Sequence, residues 1–259
     1  MKNKTFASLE KALDILDLFD LTHREFSAQE ISSRLDIPLS STYKYLDVLV
    51  RRQLLMRKAG TKKVGIGAML FRLGNVFSKD LNLVDIAMPH LENLATETCE
   101  TAMITVVEGN EAICLERVEP QRLITFSLDP GRKLPLYVGA SSRILLAYQN
   151  EKFIDSYLKN LKFSKFSNKT IASVKKLRAE LKKTRDNGYV VTDSEADADA
   201  KAISAPIFDH KKNIIAGLTI AGPSERIKAK KLQDLIKLVK NKARKISINL
   251  GYLDSTNNT

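Results

Sequence analysis

Tryptophan is absent from this 259-residue chain, cysteine occurs twice and histidine three times. Cys99 and Cys114 lack the close spacing of a zinc or redox pair, which argues against a metal module and a disulfide framework. They are expected to be reduced core residues of a cytoplasmic protein. His23, His90 and His210 are scattered, with no ligand or triad spacing, so no metal site, catalytic residue or cofactor is expected. A phosphate-cradling glycine loop and a serine elbow are also missing. No run of about eighteen apolar residues exists, which excludes a spanning helix. The start, Met1-Lys2-Asn3-Lys4-Thr5, is not followed by an apolar signal core, so secretion is not expected.

Acid is in the minority. Lys and Arg number 42 against 30 Asp and Glu, a formal charge of +12, and 44% of the residues are hydrophobic. That content supplies cores for two domains, and the charge suits a polyanionic partner without identifying one.

The most informative stretch is 27–66. Ser27 followed three residues later by Glu30 forms a capping box for a short helix ending near Leu35. Pro38 supplies no amide proton and disfavours a helical residue before it, so it separates this helix from the next, with Ser40 or Ser41 as the expected cap. The second helix is predicted to run to about Arg52. Thr42, Tyr45, Leu46 and Leu49 fall on its packing face, while Ser40, Tyr43, Lys44 and Arg51 stay free. Two short strands around Gly60-Thr61 then make a basic ribbon. From 40 to 66 the cations are Lys44, Arg51, Arg52, Arg57, Lys58, Lys62 and Lys63, against the single acid Asp47. A preceding helix over 8–20 is expected to pack through Leu9, Leu13, Leu16 and Phe19. A solvated basic face would need no scaffold helix and no adjoining ribbon. The combination predicts a winged helix-turn-helix that binds duplex DNA.

Helical spacing continues over 67–77, and a polar break at 78–82 marks the connection to a second domain. A helix is expected over 83–99, then strands over 102–107, 112–118, 122–128, 202–208 and 214–221, with helices over 151–158 and 171–187 between the halves. This mixture predicts an α+β domain with one main sheet. Near the C-terminus, lysines surround the stripe Leu232, Leu235, Ile236, Val239, Ala243 and Ile246, as in a surface helix packed on a domain.

Several blocks, in order, resemble one known family. They are 8–16, the turn and helix at 37–46, the stretch 133–147 beginning Lys133-Leu134-Pro135, the stretch 188–195 opening on Gly188-Tyr189, then 203–209 and 218–223. On these residues the chain resembles the IclR-type bacterial transcriptional regulators over nearly its whole length. It departs from the pattern at Leu39, where a basic residue is common, at Gln53, where glycine is common, and at Ser142-Arg143, where Gly-Lys is common. The acidic segment 195–201 also lacks the glycine often found there; its own chemistry fits a solvated loop better than a cation site of alternating carboxylates.

The resemblance implies a winged helix-turn-helix domain (1–66), a linker helix (67–82) and a GAF-like effector-binding domain (83–252). It implies a homodimer or tetramer on a palindromic operator, controlled by a small organic metabolite such as a carboxylate or a sugar or aromatic catabolite, and it favours a repressor. The DNA contacts would come from Ser40, Ser41, Tyr43, Lys44, Arg51, Arg57, Lys58, Lys62 and Lys63. Carried over position by position, the effector pocket would use Ala140, Ser141, Thr192 or Asp193, Ala202, Thr219 and Ala221. The alternative is a GAF-like small-molecule enzyme or sensor with an accessory DNA-binding module, which would need a base beside Ser141.

Overall fold

The computed structural model describes residues 7–20, 22–73, 82–120 and 129–253. The chain divides into two compact units, Met1–Leu81 and Asn82–Thr259.

The first unit holds α1 (Ala7–Asp17), β1 (Glu25–Ser27), α2 (Ala28–Leu35), α3 (Leu39–Arg51), β2 (Leu55–Arg57) and β3 (Lys63–Ile66). The capping box at α2 is formed. The Ser27 amide donates to Glu30 Oε2 at 2.6 Å, and the Glu30 amide donates to Ser27 Oγ at 3.2 Å. Asp36 ends the helix in the left-handed region at φ 50°. Neither Ser40 nor Ser41 caps α3. The helix begins at Leu39, with Pro38 at the cap and no side-chain cap bond. The proline carbonyl instead accepts the amides of Ser41 and Thr42 at 2.9 Å each and the Thr42 hydroxyl at 3.2 Å. A ring with φ of −52° is already set for helix entry, so the helix starts earlier than a serine cap would allow.

The packing face of α3 is the one its spacing dictates: Thr42, Leu46 and Leu49 are buried and Tyr45 is half-buried against the same core. The stripe expected on α1 is rotated. Ile15 is fully buried, with Leu16 and Phe19 flanking the core, while Leu9 and Leu13 are 59% and 51% exposed. At 3.6 residues per turn Ile15 lies about 160° from Leu13, so one face had to be given up. The ribbon has three strands rather than two, in the order β1-β3-β2. β1 adds Phe26 to the core, where its ring meets Phe19 edge-on at 5.1 Å.

The second unit is built on a six-stranded antiparallel sheet in the order β6-β5-β4-β9-β8-β7. The strands are β4 (Thr101–Glu108), β5 (Glu111–Val118), β6 (Lys133–Pro135), β7 (Val190–Asp193), β8 (Ala200–Phe208) and β9 (Ile214–Pro223). The strand expected at 122–128 lies outside the described residues. The helices are α4 (Leu83–Thr98), α5 (Gly139–Ala147), α6 (Glu151–Lys159), α7 (Val174–Asn187) and α8 (Ala229–Asn249).

Alternation along the strands assigns the two faces. Thr105 donates to the Ser141 carbonyl of α5 at 3.0 Å, and a Cβ at Gly217 would stand 2.6 Å from Ile144 Cγ2. This face therefore carries α5, with α6 and α7 packed against it through Ile144, Leu146, Ile154, Leu158, Leu177 and Leu181. The opposite face turns Ile104, Ile203, Ala205, Leu218 and Ile220, all buried, toward α4 and α8. On α8, Ile236, Val239, Ala243 and Ile246 are buried, Lys231, Lys237, Lys240 and Lys245 are exposed, and Lys242 lies against α4, donating to Glu97 at 2.9 Å, as in a packed surface helix. Cys114 is buried in the sheet, whereas Cys99 is only half-buried and ends α4 at φ 54°, so only one of the two cysteines is a core residue.

Gln53 stands at φ 60°, a conformation that costs a side-chain-bearing residue about 1–2 kcal/mol, and its carboxamide accepts only an exposed bond from Arg72 Nη2 at 3.0 Å. Gln53→Gly is expected to raise stability by about 0.5–1 kcal/mol. Denaturant unfolding of the two proteins measures it, and a decrease would show that the Arg72 bond outweighs the backbone strain.

Candidate DNA-reading surface and ligand cavity

On the first unit, Ser40, Tyr43, Lys44 and Arg51 are exposed on α3, and Ser41 is half-covered. Tyr43 is 45% exposed. Pro38 makes this possible: it ends the scaffold turn and starts α3 with its packing side already turned to Ile31 and Leu55. The ribbon stands beside the helix, with Lys58 N–H donating to the Lys63 carbonyl at 3.0 Å and Gly60 turning at φ +72°.

The charges in this surface are partly committed. Arg57 meets Asp47 at 2.8 Å, Lys58 meets Glu25 at 3.3 Å, and Lys63 meets Glu30 at 3.9 Å. These pairs are exposed, and such pairs contribute about 0–1 kcal/mol each, little enough for a phosphate to displace the acid. Among the described residues, Lys44, Arg51, Arg52 and Lys62 have no acid within ion-pair distance. They supply positive charge from both helix and ribbon.

On the second unit, one cavity of about 70 Å³ opens at the N-terminus of α5. Ala140 and Ser141 line it from α5, and Thr192, Ala202, Thr219 and Ala221 line it from β7, β8 and β9 of the sheet. Asp193 is not among the lining residues. Successive strand residues point to opposite faces, so when Thr192 turns in, Asp193 turns away. Its carboxylate receives Lys201 Nζ at 2.9 Å and the Ser224 hydroxyl at 2.8 Å. The Lys201 bond, with Ser224 and Ser194 behind it, holds Asp193 down to about 2.

Sequence reading missed Met103, Leu134, Gly139, Ala196, Asp197 and Ala200, which complete the walls. Met103 enters because β4 pairs it with Thr219, a register that no local pattern encodes. The only polar side chains in the wall are the hydroxyls of Ser141, Thr192 and Thr219 and the carboxylate of Asp197 at the exposed rim. No basic residue lines it, and neither does a histidine. Val138, at the cap of α5, offers no side-chain oxygen to the first-turn amides, and such orphan N–H groups favour an anionic or carbonyl oxygen.

The segment after β7 covers this cavity and is fastened from two sides. Arg143, 1% exposed, forks onto Glu195, with Nη1–Oε1 at 3.2 Å and Nη2 bonded to Oε2. Its Nη2 also donates to the Tyr137 carbonyl at 3.2 Å. Thr170 Oγ1 donates to the Glu195 carbonyl at 2.8 Å. With Glu195 committed to Arg143, the acidic run behaves as a clamped loop. Among the described residues no three metal-ligating side chains come together, and no helix is long and apolar enough to cross a membrane.

Comparison with known proteins fits this geometry. Residues 8–59 match the IclR helix-turn-helix domain and residues 76–248 match the family described as bacterial transcriptional regulator IclR C-terminal. The chain is 32% identical over 251 residues to the HTH-type transcriptional regulator KipR of Bacillus subtilis, covering 97% of this chain and 98% of that one. It is 26% identical to the HTH-type transcriptional repressor AllR of Escherichia coli K12, over 94% of this chain and 90% of the relative. The crystal structure of the Agobacterium tumefaciens repressor BlcR superposes with a TM-score of 0.85 at 26% identity, covering 96% of this chain and 99% of that one.

Two predictions follow from the bonding around the cavity. Arg143→Met strands a carboxylate in a nearly dry site and is expected to cost about 3–5 kcal/mol, whereas Arg143→Met with Glu195→Met together should recover most of the loss; urea unfolding of single and double variants decides. Because Asp193 titrates below its ordinary value of 3.8, its stabilising effect is full above about pH 4 and is lost as pH falls through about 2. Asp193→Asn should therefore lower the melting temperature at pH 6, and the gap should close toward pH 2. The N-terminal helix-turn-helix, the effector domain and the matches along nearly the whole length place this chain in the IclR family, whose members are DNA-binding transcriptional regulators and not enzymes.

Proposed function

We propose that the chain acts in the cytoplasm as a homodimer or tetramer, setting α3 of each subunit into a major groove of a palindromic operator and repressing transcription until a small carboxylate or related catabolite enters the cavity. The observation that carries this reading is the unburied side of α3, where Tyr43 and Lys44 stand free beside a ribbon bearing Arg57, Lys58, Lys62 and Lys63. Tyr43, Lys44, Ser40 and Ser41 would meet base edges and nearby phosphates. Arg51 and the ribbon cations would meet backbone, which positions the protein and contributes affinity with little sequence information.

In the second unit, the first-turn amides of α5 and the hydroxyls of Ser141, Thr192 and Thr219 would hold the ligand's oxygens. With no basic side chain in the wall, recognition would rest on amides and the helix dipole rather than on an ion pair. The ligand would act by binding one dimer arrangement better than another and so altering the spacing of the two reading heads.

Two measurements test these assignments. Lys62→Ala with Lys63→Ala should weaken binding to all duplexes and reduce the slope of log affinity against log salt by about two, while Tyr43→Ala or Lys44→Ala should change which sequences are selected. An unchanged salt slope would remove the ribbon from the interface. Ala202→Leu with Ala221→Leu fills the cavity, so the doubly substituted protein should bind its operator normally yet show no thermal shift with any metabolite that stabilises the parent. A retained shift would place the effector elsewhere.

A further inference from the structure

A second concavity lies at the other end of α5. β7 pairs with β8 only from Asp193–Lys201 to Val190–Ser204, so β8 runs on past its neighbour with residues 205–208 at an open edge. A cleft of about 530 Å³ sits against that edge, walled by α8 and by Tyr148, the residue that ends α5. Its size falls within the range of small-molecule sites, whereas the cavity at the α5 N-terminus is much smaller.

The edge is not prepared to receive another strand. Pro206 has no amide proton, and the Phe208 amide already donates to Ser247 Oγ at 3.0 Å. A peptide adding itself in β-fashion would find few donors, which favours a compact ligand over a chain.

The walls have two chemistries. Three aromatic rings form a continuous apolar side: Tyr148 meets Phe208 edge-on at 5.2 Å, and Phe208 stacks on Tyr252 at 5.4 Å. Facing the space from α8 are Lys240 and Arg244, four residues apart and therefore on the same side of the helix. No lining residue is acidic. The Lys240 ammonium is held in place, donating to the Asn187 carbonyl at 3.0 Å at the C-terminal end of α7 and lying 5.5 Å over the Tyr189 ring. Gly188, at φ +72°, ends α7 beside that ammonium. One of the three N–H donors is used, so a fixed cation still has donors to offer. Flat rings on one side and two cations on the other are complementary to a ligand that is planar, apolar over most of its area and anionic at one end.

We propose that this cleft is a second ligand site, distinct from the cavity at the α5 N-terminus, and that it takes a flat aromatic monocarboxylate. The carboxylate lies between Lys240 and Arg244 and the ring packs against the aromatic cluster of Tyr148, Phe208 and Tyr252. Tyr148 places this site at one end of α5 while Ala140 and Ser141 place the first cavity at the other. A helix of nine residues spans about 13 Å, so occupation of either end bears on the same rigid element.

The test is calorimetric titration of the full-length protein with 2-naphthoate and, as a neutral counterpart of similar shape, 2-naphthalenemethanol. The expected result is saturable one-to-one binding of the carboxylate, clearly tighter than that of the alcohol. It should weaken about tenfold or more in Lys240→Gln with Arg244→Gln, the loss of two charge-assisted contacts. Tyr252→Leu, which removes a ring and leaves the charges, should weaken both compounds and serves as the readout if the double variant does not fold. Ala202→Leu, in the other cavity, should leave naphthoate binding unchanged. Equal affinity for acid and alcohol would overturn the proposal. So would loss of binding in Ala202→Leu, or no binding heat up to about 1 mM, the weak end of specific recognition.

Discussion

The effector domain depends on how closely α5 lies on the sheet. That approach is possible only because residue 217 has no side chain: any Cβ would collide with Ile144. Thr105 then reaches the Ser141 carbonyl and locks the first turn of the helix over β4 and β9. From this one contact come the position of the orphan amides, the small cavity beneath them, and the burial of Arg143 at a point where Glu195 can meet it. A buried guanidinium needs a partner, and the partner it finds is the loop that roofs the cavity. Packing density, ligand space and loop position are thus consequences of a single steric allowance.

In the reading domain a comparable role falls to the junction at Pro38. The ring breaks the chain between α2 and α3, starts α3 without a side-chain cap and thereby turns Thr42, Leu46 and Leu49 inward. What is left outward includes Ser40, Tyr43, Lys44 and Arg51. The acids that accompany the ribbon do not cancel its use: Asp47, Glu25 and Glu30 hold Arg57, Lys58 and Lys63 in exposed pairs, which orient the cations at small energetic cost and yield to phosphate. Electrostatics of this kind gives attraction to any duplex, and discrimination has to come from the few side chains on α3 that reach base edges.

Much of this was legible before any coordinates. The capping box at Ser27 and Glu30, the helical spacing on α3 and the extended apolar runs of β4, β5, β8 and β9 are local patterns, and each is realised. Of the elements of three or four residues, β2 and β3 were legible from the glycine turn between them, whereas β1, β6 and β7 have no such marker, are too short for a pattern to stand out, and exist because a longer strand is present to pair with. On α1 the leucines outnumber the isoleucine and dominate the local pattern, yet the core takes the face that carries Ile15 and leaves Leu9 and Leu13 outside. Between the two neighbours Thr192 and Asp193 only the strand's orientation in the sheet chooses, because adjacent strand residues face opposite ways, and it is Thr192 that lines the cavity.

By itself the sequence determined the class of each domain, the helix that faces outward, the excess of positive charge on it and the family to which the chain belongs. The first three follow from short-range rules of capping, periodicity and composition, and the family from the resemblance of several motif blocks in order. Only the tertiary structure decided that Met103 and Leu134 share a wall with Ser141, that Arg143 and Glu195 meet across 52 residues of chain, and that β8 outruns β7 to leave the aromatic and cationic cleft beside it. Each of these is fixed by strand register and helix packing, interactions between segments distant in the chain, and no local pattern carries that information.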